Sequence, residues 1–483
     1  AIKDSIYGNI ALTKRNNEYS LYENGLLSYT TNDELSSEIN VHYSLLSHPN
    51  PKRVLLIGGG VAGALKEILK YKQVEVDYVE LDNEIINISE FYLPKENVQP
   101  LKDKRVNIIY SDARLFVKNA KSFYDVIIIN LSDPYTALIN RYYSLEFFKE
   151  SNKILNSNGI LSLSVSSSEN YLNEEAKDFL RSINSTLREV FKDVKSVPTD
   201  INVFIASKEM NLVSLNSDKL IKKIKKLDIK NKYVNKYYLP YILSEGRISY
   251  IDKILEVKGN INSDMRPVAY LYDIVLFSTH FNKVFRNFIA KFQGISLKYL
   301  FIFPFIILLF GLFLRKLKAF FSITASIVTT GFSEIVFQTI IILAFQSLYG
   351  FVYHNIGLII ASFMAGLVLG GYYAKKILEK NARDESIFKI YKFIQFIICI
   401  YPLFLPLIFI VFKDSFFINK FPHIFASIFA IFPVIAGFLG GIQYPLATHL
   451  VSKLKKNEEV SESAGFLYSL DVFGASIGAI LTA

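Results

Sequence analysis

The segment VLLIGGG, residues 54–60, decides the fold, because four apolar residues run directly into three glycines. Such a run before a turn is typical of a strand buried on both faces of a parallel sheet. After a gap of about twenty residues a second apolar run ends in VELD, residues 79–82. Glycines let the backbone approach a ligand closely, and an acid at the end of the next strand can bind ribose hydroxyls. The two segments predict a nucleoside site formed by Gly58, Gly59, Gly60, Glu80 and Asp82.

Apolar runs continue to alternate with helical patterns as far as residue 210, which indicates a doubly wound, parallel α/β sheet. The predicted strands are 54–57, 76–80, 106–109, 126–129, 160–165 and 203–206. Residues 6–30 alternate as β strands do, with Asn24-Gly25 as a hairpin turn. We therefore predict a small N-terminal β unit over residues 1–50 and a Rossmann-like, methyltransferase-type nucleoside-binding domain over residues 51–210.

Residues 211–297 are predicted to form a basic helical segment and a linker. From Ser217 to Leu227, lysines interleave with apolar residues at the spacing of an amphipathic helix. Such a helix either lies on lipid headgroups or is a solvated surface helix, and both interpretations stay open.

Residues 298–483 consist of long apolar runs with short polar breaks, which predicts an all-α transmembrane bundle. The candidate spans are 299–314, 319–345, 356–373, 387–412, 422–450 and 464–483. Because the last run reaches the end of the chain and the chain begins without methionine, we expect it to be truncated. Basic residues after the first, third and fifth spans favour cytoplasmic loops, but the approach to the first span is basic as well.

Polar side chains interrupt the apolar runs. Glu334 and Gln338 are four residues apart and share a helix face, and Gln443 and Asp471 lie in or near later spans. They predict either a polar pathway for a cationic solute or interhelical hydrogen bonds. The glycines at 366, 370 and 371 are predicted to permit close helix packing.

The composition excludes several classes of site. The net charge of +10 lies largely on residues that flank apolar segments, which favours contact with a lipid bilayer over binding to nucleic acid. The single cysteine, Cys399, excludes a disulfide framework and a thiolate metal site within one chain. His354 has no second histidine at ligand spacing, so we predict no metal site.

Several motifs together resemble the spermidine synthases, the polyamine aminopropyltransferases. They are the glycine turn at 58–60, Glu80-Leu81-Asp82, Asp112 and Ser132-Asp133-Pro134, in the family's order and spacing. The segments HPNPKR (48–53) and NSDMRP (262–267) are also similar to family segments. The apolar half resembles the membrane domain that is fused to spermidine synthase-like proteins in bacteria.

The resemblance implies a nucleoside co-substrate, decarboxylated S-adenosylmethionine or S-adenosylmethionine. The glycine turn would approach its methionine-derived part, Glu80 would bind the ribose and Asp112 the adenine. The alternative is that Glu80 and Asp112 only cap the helices that follow them. Family members often dimerise through the N-terminal β unit, which leaves a homodimer open.

The chain departs from the family at the expected amine site. Val61 stands where the family has an aspartate, and Asn130 stands where the family has the aspartate that helps to deprotonate the amine. Asparagine is not a base at neutral pH. In the family's tyrosine-containing segment this chain has Ser36-Ser37-Glu38. The residues predicted for the catalytic site are therefore Asn130, Asp133 and Glu38.

Arg141 and Tyr142, in the loop after Asp133, are predicted to contact the substrate. A guanidinium prefers a carboxylate and would repel a diamine such as putrescine, so Arg141 suits a carboxylate-bearing substrate, such as intact S-adenosylmethionine. The alternative is that Arg141 pairs with a structural acid such as Glu146.

Three functions remain open from the sequence. The first is a membrane-bound spermidine synthase-like transferase that moves an aminopropyl or related group to an amine. The second is a non-catalytic nucleoside sensor that regulates a membrane transporter, and the third is a methyltransferase that uses S-adenosylmethionine. The resemblance implies a multi-pass protein of a bacterial cell membrane. Because the co-substrate is made in the cytoplasm, we expect the soluble part to face that side.

Overall fold

The computed structural model describes residues 1–278, 319–349, 353–380, 384–413, 422–455 and 459–482, apart from Asn32, Asn170 and Met265. The chain forms two compact units, residues 1–294 and 295–483. Each unit is described by itself.

The chain begins with an antiparallel sheet whose four strands lie in sequence order. Its strands are β1 (Ile2–Asp4), β2 (Asn9–Arg15), β3 (Glu18–Glu23) and β4 (Leu26–Thr30). The predicted hairpin joins β3 to β4, where Asn24 and Gly25 have φ values of 51° and 81°. Both values suit the short turn of a twisted hairpin. The rest of the predicted 1–50 segment contains a helix, α1 (Glu34–Ser47), which the alternating pattern did not indicate.

A seven-stranded sheet follows, with the order β10-β11-β9-β8-β5-β6-β7. The strands are β5 (Arg53–Ile57), β6 (Glu75–Glu80), β7 (Val106–Tyr110), β8 (Tyr124–Ile129), β9 (Leu155–Ser166), β10 (Asp193–Val197) and β11 (Ile201–Ser207). All six predicted strands are present, and β10 was missed. The sheet is not wholly parallel, because β11 runs antiparallel to both neighbours. Residues 198–200 join β10 to β11, and a link this short forms a hairpin, not a crossover.

The interior strand β5 is buried on both faces of the sheet. Val54 and Leu56 belong to one apolar cluster, whereas Leu55 and Ile57 belong to another. The other helices of this unit are α2 (Ala64–Ile68), α3 (Asn83–Tyr92), α4 (Lys95–Val98), α5 (Ala113–Asn119), α6 (Ala137–Asn140), α7 (Leu145–Ile154), α8 (Glu174–Arg188), α9 (Ser217–Lys226), α10 (Tyr238–Ile242), α11 (Glu245–Leu255) and α12 (Val268–Ser278). The predicted Rossmann-like fold, with apolar layers on both faces, is confirmed.

The basic helix α9 packs against the rest of the first unit. Leu220 is buried, and Ile221 and Ile224 pack against the same apolar cluster. Lys223 Nζ donates to the carbonyl oxygen of Leu46 at 2.8 Å. Since the apolar face of α9 is already covered, the structure agrees with the surface-helix interpretation.

Among the described residues, five helices of the second unit are long and apolar enough to cross a membrane. They are α13 (Ala319–Tyr349), α14 (Tyr353–Lys380), α15 (Asp384–Lys413), α16 (Pro422–Leu454) and α17 (Val460–Thr482). Each corresponds to a predicted span, and the predicted span 299–314 lies outside the described residues.

Glycines let α14 and α16 touch through their backbones. A methyl group at Gly366 would lie 2.9 Å from the backbone nitrogen of Phe438, and one at Gly370 would lie 2.9 Å from that of Ile442. Both distances are far below van der Waals contact, so these two glycines have the packing role that was predicted. Gly371 is different, because a methyl group there would make only an ordinary 4.0 Å contact with Gly441.

Candidate nucleoside site

The glycine turn lies at the carboxyl edge of the sheet, directly after β5. Gly58 and Gly59 have φ values of 70° and 60°, which side chains rarely adopt. A methyl group at Gly59 would lie 2.7 Å from the carbonyl oxygen of Asn130, and one at Gly60 would lie 2.5 Å from the Tyr78 ring. The turn therefore lies close against residues at the ends of β6 and β8, and ligands of such sheets bind beyond that edge.

Glu80, the last residue of β6, is buried and held by two donors. The Tyr78 hydroxyl donates to Oε2 at 2.6 Å, and the Leu81 N–H donates to Oε1 at 2.9 Å. Burial raises the pKa of Glu80 to about 7, a shift that the charge of Glu23 reinforces and the Tyr78 hydrogen bond opposes. A carboxylate has about four acceptor sites, so Glu80 can still accept a hydrogen bond from a ribose hydroxyl. The helix-capping alternative does not describe Glu80, because its side chain caps no helix in the described structure.

Asp82 has the capping role instead. It is the N-cap of α3, and its Oδ1 accepts a hydrogen bond from the Glu84 N–H at 2.9 Å. This contact satisfies one of the free N–H groups at the start of the helix. The structure therefore favours a structural role for Asp82 over the ligand contact that the sequence predicted.

Asp112 combines a cap with an ion pair. Its Oδ1 accepts from the N–H groups of Arg114 and Leu115, both at 3.0 Å, at the start of α5. Its Oδ2 accepts from Arg141 Nη2. Asp112 thus lies at the predicted strand end, but its carboxylate already has partners within the protein.

Arg141 is buried beside Tyr142. Its Nε donates to the Leu138 carbonyl at 3.0 Å, and its guanidinium lies 4.8 Å from the centroid of the Tyr142 ring. The predicted alternative named Glu146 as its structural acid, whereas the structure pairs Arg141 with Asp112. A substrate carboxylate would have to compete with Asp112 for this guanidinium.

Asn130 connects three parts of the site. Its Nδ2 donates to the Gly59 carbonyl at 3.2 Å, and its Oδ1 accepts from Asn40 Nδ2 on α1 at 2.9 Å. An amide can do both, whereas a carboxylate has no donor for the Gly59 carbonyl. The residue that replaces the family's aspartate therefore holds the glycine turn.

We expect Asn130→Asp to lower the free energy of unfolding by about 1–2 kcal/mol, because the Gly59 carbonyl would face a carboxylate oxygen without a hydrogen bond. The measurement is scanning calorimetry of the detergent-solubilised chain. Asn119→Asp is the matched control, since the exposed Asn119 also donates to a backbone carbonyl, that of Leu115 at 3.0 Å, but in contact with water. Equal melting temperatures for the two variants would contradict this role of Asn130.

Glu38 is an anchor for a distant loop. Its carboxylate accepts three hydrogen bonds of 2.7–2.8 Å from the backbone N–H groups of Lys232, Tyr233 and Val234. With only 2 % of its surface exposed, Glu38 has little access to a substrate. The structure favours this structural role over the catalytic role that the resemblance implied. Val61 is buried in the apolar core.

Asp133 lies in the loop after β8, at the same edge of the sheet as the glycine turn. Its Oδ1 accepts from the Ser166 N–H at 2.9 Å, and burial raises its pKa above the usual range. Of the two acids among the three predicted catalytic residues, Asp133 is the more accessible, because it is half-buried and Glu38 is buried.

Sequence reasoning missed Tyr78 and Asp273. Tyr78 precedes Glu80 by two residues on β6, so both side chains point to the same face. Asp273 is the one charged residue of α12, whose other residues are apolar, aromatic or serine. A lone acid in an apolar helix was the available signal.

In the second unit, Glu334 and Gln338 lie on α13 as predicted. Glu334 lines a cavity together with Ser333, Phe337 and Tyr401. Its carboxylate packs closely against Gly440, where a side chain would clash with it. Gln443 donates to Gln395 Oε1. This last contact is an interhelical hydrogen bond of the kind expected from polar residues in apolar helices.

A doubly wound sheet with a glycine turn beside a buried strand-end acid is typical of the Rossmann-like class of proteins. Residues 34–219 match the model of the spermine/spermidine synthase domain. The polyamine aminopropyltransferase of Prochlorococcus marinus is 34% identical over 239 residues, which are 46% of this chain and 81% of that protein. The chain therefore belongs to the spermidine synthase family.

Another relative and two solved structures are also similar to parts of this chain. The polyamine aminopropyltransferase of Leptospira interrogans is 36% identical over 165 residues, and the match spans a third of each chain. A solved spermidine synthase in complex with the transition state analogue AdoDATO is 22% identical, with a TM-score of 0.44 over 53% of this chain and 86% of that one. The Thermotoga maritima spermidine synthase is 23% identical, with a TM-score of 0.45 over 53% and 87%.

Proposed function

We propose that this chain is a membrane-bound transferase that binds a nucleoside derived from S-adenosylmethionine and moves its aminopropyl group to an amine. The observation that carries the proposal is the position of Glu80, a buried carboxylate at the end of a strand and beside a glycine turn. Tyr78 and Leu81 donate hydrogen bonds to it, and it can still accept one from a ligand. This is the chemistry that binds the two hydroxyls of a ribose. Relatives that are named polyamine aminopropyltransferases support the choice of reaction.

In the proposed reaction, the nitrogen of the amine attacks the carbon bonded to the sulfonium. A C–N bond forms and the C–S bond breaks, so its electron pair returns to sulfur and methylthioadenosine leaves as a neutral thioether. The amine loses a proton to a nearby base. Because the leaving group is good, orienting the amine and removing its proton are the main tasks of the protein. Asp133 is the acid that we propose as the base.

We propose that the second unit anchors the enzyme as a multi-pass protein in a bacterial cell membrane. Its five long apolar helices support insertion in a lipid bilayer. The soluble unit would face the cytoplasm, because the nucleoside co-substrate is made there.

A second candidate is a nucleoside sensor that transfers nothing. The observation in its favour is Asn130, which stands at the position of the family's catalytic aspartate. Its side-chain amide forms hydrogen bonds with Gly59 and Asn40. A sensor needs the nucleoside acids but no base, so the two candidates differ in turnover and not in binding.

The test is calorimetric titration of the full chain in detergent micelles with decarboxylated S-adenosylmethionine, S-adenosylmethionine and methylthioadenosine. A product assay with putrescine follows. We expect tightest binding of the decarboxylated form, together with release of methylthioadenosine and formation of spermidine. Binding without products would favour the sensor, preference for the intact form would favour methyl transfer, and no binding would overturn the nucleoside site.

A further inference from the structure

Asp273 on α12 is a buried acid that has no partner among the described residues. Only 8 % of its surface is exposed, and its carboxylate has no hydrogen bond or ion pair in the part of the chain that the structure describes. Leaving a carboxylate unpaired away from water costs free energy unless it binds a cation or keeps its proton. An unpartnered acid in this setting points to a cationic ligand.

Hydrogen bonds fix α12 against the loop that follows Asp133. The N–H of Tyr270 donates to Asn140 Oδ1 at 3.2 Å, and Asn262 Nδ2 donates to the Tyr143 carbonyl at 2.9 Å. Asp273 lies three residues after Tyr270 and is therefore on the same side of the helix. Hydrogen bonds thus join the first turn of α12 to residues 140–143, which follow the Ser132-Asp133-Pro134 motif.

Asp133 and Tyr143 lie in the same region as Asp273. The Tyr143 hydroxyl donates to the Ser132 carbonyl at 2.9 Å, next to Asp133. Burial and, after it, the negative charge of Asp133 together raise the pKa of Asp273 to about 7. Both acids also raise the pKa of Tyr143, after burial, so all three groups are close enough to interact. Two carboxyl groups and an aromatic ring are the partners that an ammonium group prefers.

We propose that Asp273 and Asp133 form the binding site for an ammonium group of the acceptor amine. This inference rests on the proposed function. Asp273 lies outside residues 34–219, the part that matches the family model, so α12 contributes a carboxylate from elsewhere in the chain. It would compensate for the family acid that Asn130 replaces at the attacking amine. The bound cation would offset the repulsion between the two aspartates.

The test is titration of putrescine into the full chain that has first been saturated with methylthioadenosine. We expect Asp273→Asn and Asp133→Asn each to weaken putrescine binding by at least about tenfold, the loss of one charged contact. Affinity for methylthioadenosine should stay unchanged in Asp273→Asn, which a general loss of structure would not allow. Asp252→Asn, on the exposed face of α11, is the matched control and should bind putrescine as the wild type does.

Two results would overturn the ammonium site alone. In the first, the wild type binds methylthioadenosine but not putrescine, and in the second, Asp273→Asn binds putrescine as tightly as the wild type. A wild type that binds no nucleoside would overturn the proposed function itself, and the nucleoside titration detects this separately.

Discussion

Glu80→Gln is expected to weaken nucleoside binding by about 2–3 kcal/mol, or roughly 30- to 150-fold, because a charged acceptor for two ribose hydroxyls becomes neutral and loses one oxygen. In the free protein Tyr78 and Leu81 each donate to a different oxygen of Glu80. Glutamine has one oxygen for both donors, so the orientation of the side chain is lost as well. Calorimetric titration with decarboxylated S-adenosylmethionine measures the effect.

The same residue should make nucleoside binding depend on pH. With a pKa of about 7, Glu80 is largely protonated at pH 6 and largely ionised at pH 8. If the ionised form accepts the ribose hydroxyls, affinity should rise about tenfold from pH 6 to pH 8 and level off above that. Glu80→Gln should abolish this dependence.

Glu75→Gln provides the matched control, since Glu75 is exposed at the opposite end of the same strand. We expect it to bind the nucleoside as the wild type does, with the same dependence on pH. A Glu80→Gln variant that kept both the affinity and the pH dependence would exclude Glu80 as the ribose ligand.

Sequence patterns predicted the parts of the fold that depend on local chemistry. Residues 54–57 form a strand that is buried on both faces. This agrees with the prediction, because a strand that is apolar at every position has no polar face to expose to water. Asn24-Gly25 became a hairpin because those residues tolerate positive φ. The direction of β11 was not predicted, because the sequence analysis did not recognise β10 as a strand. The three-residue link 198–200 between β10 and β11 makes the two strands antiparallel.

The roles of the site residues depended on partners far away in the sequence. Glu38 matched a catalytic motif, yet the backbone of residues 232–234 occupies its carboxylate. Asn130 is uncharged, whereas the family has an aspartate at this position. The hydrogen bond from Asn40 to its amide oxygen gives Asn130 a structural role. Motif spacing identifies the residues that reach the carboxyl edge of the sheet, but tertiary contacts decide which of them stay available to a ligand.

Arg114 is the second residue whose loss should have a large effect, here on stability. Its Nε and Nη2 donate to Glu150 at 2.9 and 3.1 Å, and its Nη1 and Nη2 donate to Asp264 at 2.9 and 2.7 Å. Arg114 is only 2 % exposed. A single guanidinium thus joins α5, α7 and the NSDMRP segment that leads into α12.

We expect Arg114→Ala to lower the free energy of unfolding of the first unit, residues 1–294, by about 3–5 kcal/mol, because the partly buried carboxylates of Glu150 and Asp264 lose their shared, buried cation. Arg114→Lys should recover part of the loss, since an ammonium keeps the charge but cannot form both two-pronged contacts. Scanning calorimetry should show a fall in melting temperature of roughly 6–20 °C for the alanine variant.

The control is Arg15→Ala on the exposed face of β2, which should change stability by less than about 0.5 kcal/mol. An alanine variant of Arg114 as stable as this control would contradict the structural role of the triad. Because Asp264 precedes α12 by four residues, the triad also fixes the start of the helix that carries Asp273. Arg114→Lys should therefore weaken putrescine binding more than nucleoside binding, and equal losses of the two affinities would argue that the triad does not position Asp273.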